Sequence, residues 1–480
     1  MEELINKFMK RQIILALCLV LFSKQNFAQN NTLTLKQCIT LATDNNLQST
    51  QSKLQAERDA ATLKQGKAGM LPSVNANLNY GFNQGRSIDP FSNSFINQQL
   101  SFSQASINAS LPVWNYNQLR NIVQQGLLTY QASMADQQQV KDNITLNTIT
   151  AYLQILVAED VLTLLRNNLV VSKKQVERLE QLGIEGATAP FNITDMKGQQ
   201  ANDELALINA ENNWQQARIA LFQLMNLPYD ASRNFSREDV NLSIEKYPDT
   251  EEIVYKYAAE NMAMVKAANY RTNANEKAIK IARAGLYPTL SAFGGVGTNY
   301  SSVAQRFSFV NESFVASDSY VDVAGTKLPV FNRQANFKKE SFGLLKQFDN
   351  NLNTNYGLSL QIPIANNLRA KTRITQARIN YKNATLVEQN TLVQLNQAIS
   401  QAYQNMLASY NRLKVFDQQV NAFEESFRAA TIRFEAGVIN SVEYLQVRNN
   451  LDRSKINQVQ NKYEYALRVR LLDFYMGRLK

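Results

Sequence analysis

The chain has 480 residues, of which 45% are hydrophobic and 19% charged, and its formal net charge is +10. This length allows two or three ordinary domains, and the apolar fraction is sufficient for a packed core, which excludes a disordered protein. Histidine is absent and no basic run is interleaved with aromatic residues, so the composition favours neither an enzyme nor a nucleic-acid partner.

The N-terminal segment predicts export from the cytoplasm. From Met9 a short basic start precedes an apolar run and then a polar stretch that ends at Ala28. This is the pattern of a secretory signal peptide, and its apolar run is too short to span a bilayer. We therefore assign residues 1–28 to a signal peptide and expect Met9 to be the true start.

The chain has two cysteines. Cys18 lies inside the signal and follows Leu17, where a lipidation site needs a small residue, so lipidation is not expected. Cys38 is then the one cysteine of the mature chain, which excludes an intrachain disulfide. Its apolar neighbours predict a small buried core residue.

A strand pattern follows the first helical segment. In LPSVNANLNYGFNQG, which begins at Leu71, apolar and polar residues alternate, and this predicts a strand at about 72–83. A second alternating segment predicts a returning strand at about 104–112, which we expect to end at Pro112.

Two long spans are almost free of glycine and proline. Val113 to Leu182 contains one glycine and no proline, and Ile364 to Ala436 contains neither. Each span predicts one helix, or two in near-continuous line, of about 100 Å. Apolar residues recur every three or four positions in the second span, which predicts a coiled-coil seam. The seam residues are Ile399, Tyr403, Met406, Tyr410, Leu413, Phe416, Val420, Phe423, Phe427, Ala430 and Phe434.

The two halves of the chain resemble each other. Adding 216 to the residue number carries Ala42 to Ala258 and Pro72 to Pro288, and AGMLPSVNANLNYG matches AGLYPTLSAFGGVG. Such an offset indicates an internal repeat. The assignments are a first repeat at 29–248, with strands at about 72–83 and 104–112, and a second repeat at 249–480, with strands at about 288–300 and 355–363.

The predicted strands have the length of membrane β-strands, about 9–11 residues when tilted. Alternation alone favours an ordinary antiparallel sheet with one solvated face. Four strands are too few to close a barrel, however, so a membrane barrel would need strands from several chains. The connections Gln84 to Gln104 and Ser301 to Asn355 show no helical periodicity and would be extracellular loops.

Six segments in order resemble the TolC-like outer-membrane efflux family across essentially the whole mature chain. They are LTLKQCITLATDNN, AGMLPSV, INASLPVWN, ARAGLYPTL, LSLQIPIAN and RFEAGVINSVEYLQVRNNL. The resemblance implies a mainly α protein with a small β part. Its long coiled-coil helices would form a periplasmic α-barrel, and four strands per chain would join a shared 12-stranded outer-membrane β-barrel in a homotrimer. The chain departs from the family after the strand-ending prolines, where Asn115 to Asn117 and Asn366 to Asn367 replace a common glycine.

The resemblance also implies a closed periplasmic tip. Gly437 matches the family's turn there, and Gly186 takes the turn position of the first half. Acidic residues narrow such a tip, and the matching positions are Asp195 and Glu443. A second acidic position matches Gln446, which implies a less negative gate. The alternative for both carboxylates is a first-turn residue that complements a helix N-terminus.

Trp114 follows the first returning strand and is expected at the membrane interface, with core packing as the alternative.

The family implies passive export from a periplasmic adaptor and an inner-membrane pump, through a channel in the outer membrane whose helical tunnel lies in the periplasm. Outer-membrane lipid would surround the barrel. The chain has no nucleotide-binding motif, so the energy would come from partners. We expect no catalytic residue, metal site or cofactor. The alternatives are the exit duct of a type I protein-secretion system and a periplasmic coiled-coil adaptor, which would normally carry lipoyl-like segments rather than a duplicated helix–strand unit.

Overall fold

A computed structural model describes residues 32–237 and 245–478. The expected signal peptide at 1–28 lies outside these residues. The chain divides into two compact units. Of the described residues, the first unit comprises 32–59, 129–237, 245–272 and 384–478, and the second comprises 60–128 and 273–383.

The first half contains β1 (Thr32–Leu33), α1 (Leu35–Asn45), α2 (Leu47–Ala68), β2 (Ser73–Asn83), β3 (Arg86–Ile88), β4 (Phe95–Asn97), β5 (Leu100–Trp114), α3 (Gln118–Ile184), α4 (Pro190–Leu224) and β6 (Asn234–Phe235). The second half contains α5 (Glu251–Asn261), α6 (Ala263–Ala284), β7 (Thr289–Ser301), β8 (Gln305–Val323), β9 (Thr326–Ser341), α7 (Leu344–Asn350), β10 (Asn353–Gln361), α8 (Arg369–Glu435) and α9 (Ser441–Tyr475).

The helices of the two halves have matching lengths. Helices α1 and α5 have 11 residues, α2 and α6 have 22, α3 and α8 have 67, and α4 and α9 have 35. Each glycine-poor span therefore contains one continuous helix, Gln118–Ile184 in the first and Arg369–Glu435 in the second. Every residue of the predicted seam in α8 is buried or partly buried.

The second unit contains a four-stranded antiparallel sheet in the order β10-β7-β5-β2. Strands β5 and β7, one from each half, pair in its centre, and β2 and β10 form the two edges. The four strands of the sequence prediction are thus present in one sheet.

The two faces of this sheet differ in chemistry. The register places Val74, Leu78 and Phe82 of β2 on the same face as Ile107 of β5. Leu78 is 73% exposed. The opposite face carries Asn, Ser and Gln, together with glycines that leave room for the amide groups. For example, a Cβ at Gly295 would lie 2.6 Å from Asn108 Oδ1.

Pro112 does not end its strand, contrary to the prediction. Strand β5 continues to Trp114 through an irregularity in its pairing with β7, where Pro112 is opposite Ser291 and Trp114 is opposite Leu290. A bulge tolerates proline because no ladder hydrogen bond is required there. In the second half the strand does end, at Gln361, before the matching proline.

The turns after the strands are built without glycine. Tyr116 and Asn117 have φ values of 50° and 58°, and Asn367 and Leu368 have 50° and 62°. Asparagine adopts this left-handed conformation more readily than most residues do. Asn117 and Asn367 therefore each supply one of the two left-handed residues in their strand-to-helix turn.

The connections between strands are more structured than the sequence predicted. The first contains the short pair β3–β4, and the second contains helix α7 and the β8–β9 hairpin, formed by residues 305–341. Ala324 and Gly325 have φ values of 58° and 86°. This pair of positive values is typical of the tight turn that joins hairpin strands.

Two apolar clusters form most of the core of the first unit. In one, α1 packs on the middle of α3, where Tyr152 is fully buried and its hydroxyl donates to Leu33 O at 3.0 Å. In the other, α5 packs on α8 and α9 around Ile399 and Leu472. Within the described residues α3 alone is long and apolar enough to cross a membrane by length and composition.

Cys38 lies in the first cluster and has no exposed surface. Burial raises the pKa of the Cys38 thiol to about 12. The predicted small core residue is confirmed.

Candidate gate and tip turns

The α3–α4 and α8–α9 turns of the first unit have the same geometry. Gly186 and Gly437 both have a φ of 70°. Ala187 N donates to Leu182 O at 2.7 Å, and Val438 N donates to Arg433 O at 2.8 Å. These are Schellman-type helix ends, in which glycine provides the left-handed residue. Both predicted turn glycines therefore occupy true helix-to-helix turns.

The three predicted gate residues differ in their surroundings. Asp195, the sixth residue of α4, is half-buried, and its Oδ2 accepts a hydrogen bond from Ser441 Oγ at 2.7 Å. Glu443 and Gln446, the third and sixth residues of α9, are exposed. Within one chain, Asp195 therefore links α4 to α9, whereas the other two side chains are open to solvent.

The helix-capping alternative fits only one of the two carboxylates. Glu443 lies in the first turn of α9, and its backbone N–H donates to the Asn440 side chain at 2.9 Å. Its carboxylate Oε1 also lies 3.8 Å from Arg433 Nη1. Asp195 lies in the second turn of α4, beyond the first-turn position where a carboxylate complements the helix N-terminus best.

The two turns lie close together within the first unit. Asn192 Oδ1 accepts a hydrogen bond from Ser441 N at 3.2 Å, and Arg178 forms an ion pair with Glu435. A cavity of about 420 Å³ lies between them and is lined by residues of both turns, including Gly437.

A buried charge cluster lies further along the same helices and was missed by the sequence analysis. Arg448 of α9 is 2% exposed. Its Nη2 donates to Asp203 Oδ2 at 2.8 Å and to Asn168 O at 3.0 Å, and its Nε lies 3.5 Å from Asp452 Oδ2. Ser172 also donates to Asp203. The cluster thus joins α3, α4 and α9.

The electrostatics of this cluster follow from its burial. Burial raises the pKa of Asp452, and the Arg448 guanidinium opposes that rise. One sequence signal could have found the cluster, since Tyr444, Arg448 and Leu451 are spaced as a buried stripe. A charge within such a stripe needs a buried partner.

Trp114 lies at the end of β5 in the second unit and is 46% exposed. Its ring meets Tyr116 edge-on at 6.3 Å, and Tyr116 stacks on Tyr287 at 3.5 Å between ring centroids. Trp114 is therefore too exposed for a core residue of the second unit. It belongs instead to an aromatic cluster at the end of the sheet.

No group of three or more carboxylate or thiol side chains within residues 32–237 and 245–478 is arranged to hold a metal ion.

The sequence is similar to outer-membrane efflux proteins over most of its length. The sequence model of the Outer membrane efflux protein family matches residues 39–227 and 254–478. The chain is 23% identical over 439 residues to the outer membrane protein TolC of Escherichia coli K12, covering 89% of this chain and 79% of TolC. It is 23% identical over 340 residues to the cobalt-zinc-cadmium resistance protein CzcC of Cupriavidus metallidurans, covering 71% and 69%.

Solved structures show the same fold. The outer membrane protein VceC of Vibrio cholerae superposes with a TM-score of 0.73 at 17% identity, covering 93% of this chain and 97% of VceC. The Campylobacter jejuni CmeC outer membrane channel superposes with a TM-score of 0.68 at 16% identity, covering 94% and 86%.

Proposed function

Because this chain belongs to the outer membrane efflux protein family, we propose that it is a homotrimeric outer-membrane channel-tunnel. It passively exports substrates that a periplasmic adaptor and an inner-membrane pump deliver. The helical tunnel lies in the periplasm, and the gate is at the α3–α4 and α8–α9 turns.

The main support is the four-stranded sheet of the second unit. Its apolar face is exposed, and its edge strands β2 and β10 have no further partner among the described residues. Open sheet edges are not tolerated in lipid, where every backbone group must be hydrogen-bonded. Three copies supply twelve strands, enough to close one barrel with the apolar face towards lipid and the Asn-rich face towards a water-filled lumen.

The same sheet argues against a periplasmic adaptor or rod. Such a protein works in water, where a continuous exposed apolar face would cause association. The type I secretion duct remains a second candidate, since it differs from the efflux channel only in its cargo. Relatives of this chain are named for export of pyoverdine and for resistance to cobalt, zinc and cadmium, so cargo differs among similar sequences.

The assembly is tested by native mass spectrometry of the mature protein extracted from outer membranes in detergent. We expect a trimer, and a stable monomer would contradict the proposal. The orientation is tested separately on intact cells with a membrane-impermeant thiol reagent. Ser94→Cys and Ser317→Cys should both react because their loops are extracellular, and protection of both would invert the orientation.

A further inference from the structure

The β8–β9 hairpin exposes an aromatic face. The strand register, including its two irregularities, places six aromatic side chains on one face, each 54–69% exposed. They are Phe307, Phe309, Phe314, Tyr320, Phe331 and Phe337. A two-stranded hairpin with such a face is at best marginally stable alone in water. The hairpin therefore needs a partner.

Both outer edges of the hairpin are also open. Strands β8 and β9 pair with each other and, within the described residues, with no other strand. They have 19 and 16 residues, which corresponds to about 50–60 Å of strand. Edges of this length are ready templates for pairing with another chain. A hairpin that stayed unpaired could not be buried in lipid hydrocarbon either, because its free backbone groups are not tolerated there.

The two strands carry opposite charge. Strand β8 has one arginine and three carboxylates, Glu312, Asp318 and Asp322, for a net charge of −2. Strand β9 has one glutamate and four basic residues, including Lys338 and Lys339, for a net charge of +3. When copies of the hairpin are related by rotation about one axis, β8 of each copy lies next to β9 of its neighbour. An acidic edge therefore meets a basic edge.

We propose that the partner is a second copy of this chain, with β8 of one copy pairing with β9 of the next around the trimer. This arrangement rests on the proposed homotrimer and adds a collar of three hairpins beyond the barrel strands. It is antiparallel throughout, since β8 and β9 run in opposite directions within each copy. It leaves no strand edge open, and it brings the aromatic faces of neighbouring hairpins side by side.

The test uses mixed trimers on intact cells. One tagged copy carries Ser313→Cys in β8 and an untagged copy carries Gln334→Cys in β9, so a short bifunctional thiol reagent cannot join the two sites within one chain. We expect a β8-to-β9 product between copies and no β8-to-β8 product in trimers that carry Ser313→Cys alone. Wild-type protein controls for Cys38, which is buried.

Charge reversal provides a second measurement. The double variant Lys338→Glu, Lys339→Glu should reduce the β8-to-β9 product severalfold, because β9 then repels the acidic β8 of its neighbour. Lys346→Glu on α7 makes the same kind of change outside the hairpin and should leave the product unchanged.

The outcomes separate the collar from the channel. If the trimer is intact but gives no β8-to-β9 product, or gives a β8-to-β8 product in equal yield, the collar is wrong and the proposed channel is unaffected. The hairpin would then contact a different partner at the cell surface. Loss of the trimer in the wild-type protein would overturn both.

Discussion

At the scale of single residues, Arg448 is the side chain whose loss the fold should tolerate least. It is buried and forms ion pairs with both Asp203 and Asp452 between three helices. Removing one partner of a buried ion pair costs about 3–5 kcal/mol, because the remaining charge stays uncompensated in the interior. We expect Arg448→Met to lower the local opening free energy of α9 by this amount, measured by hydrogen exchange of its backbone amides.

A matched control lies on the same helix. Arg453 is exposed, so Arg453→Met should change the exchange of the same amides little. The double variant Arg448→Met, Asp203→Leu should recover part of the loss, since it removes charges from both sides. Equal effects of the two arginine substitutions would contradict a role for the buried cluster in holding α9.

The residue scale also shows where sequence interpretation stops. The turn positions Gly186 and Gly437 could be predicted because a helix end and its glycine are local in sequence. The Arg448–Asp203 contact joins residues 245 positions apart. Likewise, nothing local to Asp195 indicates that its partner is the Ser441 hydroxyl.

At the scale of elements, an added charge should be tolerated on one face of β2 and not on the other. Leu78 lies on the exposed apolar face, and its neighbour Asn77 points to the polar face. An arginine on the lipid face of a membrane barrel costs about 2–4 kcal/mol near the midplane. Leu78→Arg should therefore reduce the yield of folded trimer in outer membranes, quantified on native gels, whereas Asn77→Arg should leave it near wild type. Equal yields would argue for a solvated sheet.

The helix-to-helix turn gives a second prediction at this scale. A non-glycine residue in the left-handed region costs about 1–2 kcal/mol. The Val438 N–H donates to Arg433 O across this turn. Gly437→Ala should therefore speed the hydrogen exchange of the Val438 amide. Gly198, inside α4, has no neighbouring atom within 4 Å of an added Cβ. Gly198→Ala should instead stabilise its helix by about 0.5–1 kcal/mol. If both glycine-to-alanine variants changed hydrogen exchange in the same way, the left-handed φ of Gly437 would not be what stabilises the turn.

The strands differ in how far the sequence could predict them. Strand β2 alternates without interruption and was predicted within one residue. The β8–β9 hairpin was missed because its pairing slips near Val310 and again between Ala316 and Tyr320. The slip near Val310 moves the aromatic positions from odd numbers, Phe307 and Phe309, to even numbers, Phe314 and Tyr320, so no single alternating pattern runs through β8. The position of a bulge depends on the pairing with the partner strand, so it cannot be predicted from the sequence of one strand.

At the scale of the whole molecule, the proposed trimer repeats each tip residue three times around one axis. Glu443 is exposed and Asp195 is committed to Ser441 in the same chain, so the two carboxylates should contribute unequally to a gate. Like charges crowded in a narrow opening attract cations, as acidic rings do in cation channels. Gln446 adds no charge to such a ring.

The gate prediction is therefore graded. Divalent cations should inhibit the single-channel conductance of the wild-type trimer in planar bilayers. Glu443→Gln should relieve most of that inhibition, because it removes three exposed charges without changing side-chain size. Asp195→Asn should relieve less, since its hydrogen bond to Ser441 already occupies one carboxylate oxygen. Glu204→Gln, at an exposed position of α4 away from the turns, serves as the control. If inhibition is unchanged in Glu443→Gln, the Glu443 carboxylate only complements the N-terminus of α9, and cations bind elsewhere in the channel.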